Sequence, residues 1–202
     1  MNHADYFNGR FFEAKEFSEA LGIVWGFGSI NDISLLLRHK EKALIDRFCS
    51  LVPITGEPFT ITTSKEKTQW AVTVNRNTLF VKRILEYGYS NIAHVEERQM
   101  PEGEFHLGTF LHSYAQLHYT YDSRKCSDGP WIRHRVRFYG STDILKALNE
   151  FFHNEFNVSI KTIQNHKSSN KMKVLYIQNN KEVPIILEWL NAEIPVALMV
   201  PR

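Results

Sequence analysis

FSEALGIVWGFGSI, residues Phe17–Ile30, and FHLGTFLHSYA, residues Phe105–Ala115, are two short apolar stretches patterned as helices and marked by glycine. Gly22 and Gly26 stand four apart, which places them on one helix face. Each helical glycine costs roughly 1 kcal/mol of propensity relative to alanine. Two in one turn therefore point to a backbone that must be approached closely by another. The second stretch supplies the partner, with Gly108 matched to Gly22, so Gly22, Gly26 and Gly108 are expected to form a helix–helix interface.

The elements around these stretches fall into two matching series. Ser18 is read as the cap of the first helix, which ends at Gly28–Ser29. A strand over Ile33–His39, a helix over Glu41–Leu51, strands over Phe59–Thr63 and Gln69–Asn75, and a helix over Asn77–Tyr87 closed by Gly88 follow. Pro101 and Gly103 punctuate a polar linker at 92–104. The second helix, over 105–113, opens the same order again. Strands over Gln116–Tyr121 and Ile132–Tyr139 lead to Ser141 as the cap of a helix over Thr142–Phe152. A hairpin of Ser159–Gln164 and Lys171–Ile177 precedes a helix over Glu182–Leu190, with Pro184 in its first turn. The reading is one α+β domain of two αββαββα repeats, about 17–91 and 105–190, paired through the glycine-bearing helices. The first repeat lacks a full opening strand, because only Asn31 and Asp32 separate Ile30 from the next one. The chain's opening residues read as an irregular lead-in, and the apolar tail EIPVALMVPR has no assignment.

Composition narrows the function class. With 202 residues, 43% of them hydrophobic, the chain can bury a core. No run approaches the roughly 18 apolar residues of a membrane span, and no signal-peptide pattern opens it. Cys49 and Cys126 stand alone, without metal spacing, which fits reduced thiols in an intracellular protein. A net charge of +2 hides an asymmetry: residues 124–173 hold ten Lys and Arg against four Asp and Glu. That concentration points to a polyanion partner. No P-loop, GxSxG, HExxH or Cys–His signature is present. His106, His112 and His118 recur every six residues, which is not a ligand spacing, so neither a metal nor another cofactor is expected.

LGIVWGFGSI, FHLGTFLHSYA and RHRVRFYGSTDILKALNEFF (Arg133–Phe152) resemble the first motif, the second motif and the unit after the second motif in single-chain LAGLIDADG homing endonucleases. The resemblance implies that the two motif helices pack at a pseudo-twofold axis and that sheet surfaces face DNA. In that family each motif helix ends in an acidic residue, and these hold the divalent metals that cut DNA. The matching positions are read as Phe27 and Ser113, neither of which supplies a carboxylate. Asp32 and Asp122 are the nearest acids and fall beyond the helix ends. The resemblance thus implies the fold and a DNA-facing surface without its metal ligands.

That surface has its clearest candidate in IRHRVRFY, where Arg133, Arg135, Arg137 and Tyr139 share one strand face. Three arginines side by side repel, so the row calls for an anion or for acidic neighbours. Gln116 and His118 are expected to extend it from the neighbouring strand, and Lys161, Lys171 and Lys173 from the hairpin. Arg38, Lys65 and Lys67 are the first repeat's candidates. The reading is a monomeric, non-cleaving binder of double-stranded DNA, with a regulatory role, since degenerate relatives occur in transcriptional regulators. Two alternatives stand beside it: an endonuclease using displaced carboxylates with Mg²⁺, and a protein-binding module of phage or mobile-element origin.

Overall fold

In the computed structural model the described residues are 9–53, 55–62, 67–91, 97–125, 129, 131–166, 169–195 and 198. Compactness divides the chain into two units, Met1–Val95 with Pro101–Leu117, and Glu96–Met100 with His118–Arg202. The first unit opens with a short helix α1 (Gly9–Glu13), where the sequence reads as an irregular lead-in. Then come α2 (Lys15–Phe27), β1 (Gly28–Ile30), β2 (Ser34–His39), α3 (Lys42–Leu51), β3 (Phe59–Thr62), β4 (Thr68–Asn75) and α4 (Leu79–Glu86). The second glycine-bearing helix, α5 (Leu107–Leu117), belongs to this unit as well. The second unit contains β5 (Tyr119–Lys125), β6 (Ile132–Gly140), α6 (Thr142–Phe156), β7 (Gln164–His166), β8 (Ser169–Ile177) and α7 (Glu182–Trp189). The α+β architecture of two αββαββα series is therefore present. Each sheet is antiparallel and four-stranded, ordered β1-β2-β4-β3 and β5-β6-β8-β7.

In the first unit, α2 is buried from Phe17 to Gly26 on nearly every side, as a helix must be when core surrounds it. Its close partner is α5. A Cβ built on Gly22 would stand 2.6 Å from the Phe110 carbonyl oxygen and 2.8 Å from Ser113 Cβ. The residue opposite Gly22 is thus Ser113, and Gly108, half-buried, lies more than one turn before it. Gly26 is buried on the same helix. Ser18 does not cap α2, because the helix begins three residues earlier. Its hydroxyl instead accepts the His106 N–H at 2.8 Å, fixing the approach to α5. The linker's end is also held: Tyr87 Oη donates to the Glu104 carbonyl at 2.7 Å. Gly103 has φ +113°, and a Cβ there would meet the Tyr87 ring at 2.7 Å, so only glycine fits. Phe11, Phe17, Phe80 and Tyr87 form an edge-to-face cluster, and Leu35, Leu37 and Ile45 of the same unit are fully buried.

Several element boundaries differ from the sequence reading: α2 starts three residues before Ser18, α6 ends at Phe156 instead of Phe152, β7 is Gln164–His166 instead of Ser159–Gln164, and two further differences have a visible physical reason. The first repeat does have an opening strand: β1 forms at the end of α2 because Asn31 Oδ1 accepts from Ile33 N and Ser34 N, closing a tight turn back onto β2. Helix α5 runs four residues beyond 113, because Phe110, Leu111, Tyr114 and Ala115 keep a buried face at helical spacing. Gln116 is consequently helical and exposed, and His118 is the single residue between α5 and β5.

In the second unit, Ser141 caps α6 by accepting from Ile144 N, and Asn157 ends the helix in the left-handed region at φ 54°. Phe138, Phe152 and Trp189 join the two helices to the core face of the sheet. The segment before β7 is extended but unpaired until Gln164. Asn149 holds it, exchanging hydrogen bonds with the Lys161 carbonyl at 2.8 Å and the Lys161 N–H at 3.1 Å. Glu182 completes the tie, accepting from Ser159 N at 2.9 Å and pairing with Lys161 Nζ at 2.6 Å. Burial raises the Glu182 pKa, but the Lys161 and Ser159 hydrogen bonds outweigh it and hold the carboxyl below its ordinary value.

Two outcomes follow. Gly22→Ala and Gly22→Leu should lower the unfolding midpoint, the larger residue by about 1–3 kcal/mol, because a close backbone contact is overpacked. In equilibrium denaturation, a gain in stability would contradict this contact, since an exposed helical glycine gains from such a change. The Glu182 tie has a depressed folded pKa, so its contribution is complete above the ordinary glutamate value of about 4.3 and disappears as pH falls through the folded value. Glu182→Gln should therefore lower stability at neutral pH and flatten the acid limb of a stability–pH curve.

Candidate nucleic-acid interface

Residues directly opposite one another on antiparallel strands share a face. On one face of the second sheet, His134, Val136, Phe138, Leu175 and Ile177 are buried against the helices. His134 is a satisfied core histidine, 2.5 Å from Tyr121 Oη through Nδ1. The other face carries Thr120, Asp122 and Arg124 from β5, Arg133, Arg135, Arg137 and Tyr139 from β6, and Tyr176 from β8.

The arginine row does not stand alone. Asp122 lies directly opposite Arg135, whose Nε and Nη2 donate to its two oxygens at 2.8 and 2.9 Å. Arg137 Nη2 reaches the same carboxylate at 2.7 Å. The Arg135 hydrogen bonds, helped by the charges of Arg137 and Arg124, hold Asp122 below the usual carboxylate range, and burial only partly opposes them. The acid is therefore ionised at neutral pH, and the two arginines it serves are held in place. Beyond this trio, Arg124 and Arg133 face each other across the strands with no ion pair among the described residues. Like charges directly opposite are destabilising. Four arginines against one aspartate leave this face strongly positive. Arg124 and the bracing role of Asp122 are absent from the sequence reading. Cross-strand register places both, and the periodicity of a single strand does not carry it.

Other candidates fall elsewhere. Tyr139 is on the arginine face, its hydroxyl 3.3 Å from Thr120 Oγ1. Lys161 is committed to Glu182, and Lys173 lies opposite Gly140 on the helix side, donating to Asn165 Oδ1 at 2.5 Å. Those two lysines line an open groove of about 750 Å³ with Lys146, Asn149 and Ile163, apart from the arginine row. Gln116, in α5, does not extend the sheet. Lys65 and the Lys171 side chain lie outside the described residues. In the first unit Arg38 is exposed, but its sheet face is otherwise built from Ser34, Leu36, Thr73, Phe59 and Ile61. Lys67 is exposed at the start of β4.

The positions implied for metal ligands can be located by register. Gly28 pairs with Leu37, which pairs with Val72, while Tyr119 pairs with Phe138, which pairs with Leu175. The residues before these strands, Phe27 and His118, are therefore equivalent, and Ser113 is instead the counterpart of Gly22. The Phe27 ring packs on His39 at 5.5 Å. Asp32 is fully exposed beside Arg76, and Asp122 is occupied by two arginines. Phe27 and His118 at the helix ends carry no carboxylate oxygen of the kind Mg²⁺ prefers, and no cluster of three His, Cys, Asp or Glu occurs among the described residues. None of the described helices is long and apolar enough to cross a membrane.

No family model matches the sequence, and no curated protein is similar to it in sequence. Solved structures are similar in fold. The homing endonuclease I-WcaI, bound to its DNA recognition sequence, aligns at TM-score 0.61 and 13% identity over 98% of this chain and 88% of its own. The LAGLIDADG homing endonuclease I-GzeII, in complex with its DNA target, aligns at 0.57 and 11% over 93% of this chain and 87% of its own. The N-terminal LAGLIDADG domain of DUF199/WhiA aligns at 0.54 and 13% over 93% and 87%. The chain therefore has the LAGLIDADG homing-endonuclease fold.

Proposed function

We propose that this protein binds double-stranded DNA through the open face of β5–β8, as a single chain, and does not cut it. The observation that carries the reading is the brace of Asp122 on Arg135 and Arg137 beside Arg124 and Arg133, which face each other with no ion pair among the described residues. Phosphate is the anion that offsets such a face, and each phosphate neutralised releases condensed counterions. Arg135 spends Nε and Nη2 on Asp122, which leaves Nη1 directed by a fixed guanidinium. A guanidinium already ordered loses less entropy on binding than a free one. It is suited to a guanine edge or to phosphate. Support also comes from the DNA complexes known for other proteins of this fold. The absence of cleavage rests on Phe27 and His118 at the helix ends. A regulatory role in the cell fits a binder that leaves its DNA intact.

Anisotropy titrations against duplex DNA over a range of salt concentrations test this. Arg124→Ala and Arg133→Ala should each weaken binding to all sequences and reduce the salt slope by about 1. A folded double variant with unchanged affinity and slope would remove the surface. Asp122→Asn should release Arg135 and Arg137 and remove a negative charge, raising affinity for arbitrary duplexes while eroding any sequence preference. With Mg²⁺ or Mn²⁺ the duplex should stay intact. Cutting that Asp32→Asn or Asp122→Asn abolishes would establish the endonuclease reading instead.

A further inference from the structure

The far end of the arginine strand carries a feature that phosphate contact leaves unexplained. Trp131 and Ile132 are 59% and 46% exposed there, next to Arg133. Ile132 pairs with Lys125 and turns to the opposite sheet face, so Trp131 is the large apolar side chain next to the facing Arg124 and Arg133. The indole is also seated. A Cβ on Gly129 would stand 2.8 Å from both Cδ1 and Nε1 of Trp131, so the backbone at 129 lies against the ring edge and a side chain there would displace the ring. Leaving more than half of a large aromatic in water forgoes the hydrophobic gain of burying it. Among cations, such a ring matches a nucleobase, which offers a π face to the indole and phosphates to the arginines.

We propose that Trp131 stacks on an unstacked base, so that the surface prefers duplex DNA with a base extruded or a step opened at this point. The inference rests on the DNA-binding reading and adds a ligand class to it. The wedge replaces base–base stacking lost in the DNA with base–indole stacking. Arg124 and Arg133 hold the flanking backbone while it does so. Gly129 is a positioning residue, and its replacement should act through the ring.

Two duplexes of one sequence, one perfectly paired and one with a single extruded base at its centre, separate the outcomes. The intact protein should bind the extruded-base duplex at least about fivefold more tightly, the lower end of what one aromatic stack contributes. Trp131→Ala should bring both duplexes to one affinity without changing the salt slope on the paired one. Trp131→Phe should keep part of the preference, and Gly129→Ala should lose it with the indole still present. The emission difference between the intact protein and Trp131→Phe should be quenched by the extruded-base duplex. Equal affinities of the intact protein for both duplexes, or a preference surviving in folded Trp131→Ala, overturn the stacking role and leave DNA binding standing. Failure to bind either duplex overturns both.

Discussion

A missing methyl group at Gly22 decides more of this fold than any charged residue. The 2.6 Å between a would-be Cβ and the Phe110 carbonyl means that α2 and α5 touch through backbone. Such a contact has one register, because a shift by one residue along either helix rotates a side chain of ordinary size into the gap. The register places Gly22 against Ser113, and from there α5 has one further turn before the chain turns into β5. His118 makes that turn, its carbonyl accepting from Tyr139 N at 2.9 Å. Within the second unit that bond fixes the phase of β5 against β6, and with it the identity of the residues opposite the arginine row.

That phase is why a row of like charges is tolerable on β6. Arginines two apart on a strand repel when nothing lies between them and solvent. Asp122, delivered directly opposite Arg135, shields two of the three. The brace is strong locally and incomplete overall: one carboxylate serves two guanidiniums, and the Arg124–Arg133 pair is left outside it. Among the described residues no second acid pairs with Arg124 or Arg133, so their repulsion is not offset there as it is at Asp122.

Much of the fold is legible in the sequence because burial imposes periodicity. The helix over 42–51, the strands β2, β4 and β6, the Ser141 cap and the closing helix follow from spacing and caps within a residue or two of their observed ends. The failures have a common origin. At 114–120 the residues Gln116, His118 and Thr120 alternate as a strand would, while Phe110, Leu111, Tyr114 and Ala115 hold a helical face. Tertiary burial against α2 decides for the helix, and local alternation carries no record of that neighbour. For the same reason the glycine spacing alone pairs Gly108 with Gly22, whereas the contact needs only one small residue on each side and takes Ser113. The surface is half legible: the strand's face is sequence information, but Asp122 and Arg124 join it through cross-strand register, which single-strand alternation does not carry. Lys161 shows the reverse error, a cation whose charge is consumed inside the unit by Glu182.

The two series have diverged most where their sheets are open. By register, Ser34, Leu36 and Arg38 of the first sheet correspond to Arg135, Arg137 and Tyr139 of the second. The core faces at the same points stay alike, Leu35 and Leu37 against Val136 and Phe138, all buried. Packing constrains a core position through volume, so it changes little on either side of a duplication. An open position is constrained only by what meets it. The first sheet presents Leu36, Phe59 and Ile61 around one arginine, and the second presents four arginines around one aspartate. Equal charge on both faces would follow if both met a polyanion in the same way. The charge instead lies on one sheet, so phosphate contacts should concentrate there and the salt dependence of binding should report mainly on that sheet. The open face of the first sheet is mostly uncharged, with Ser34, Gln69, Thr73 and Asn75 beside Leu36, Phe59 and Ile61, so little of that salt dependence should come from it.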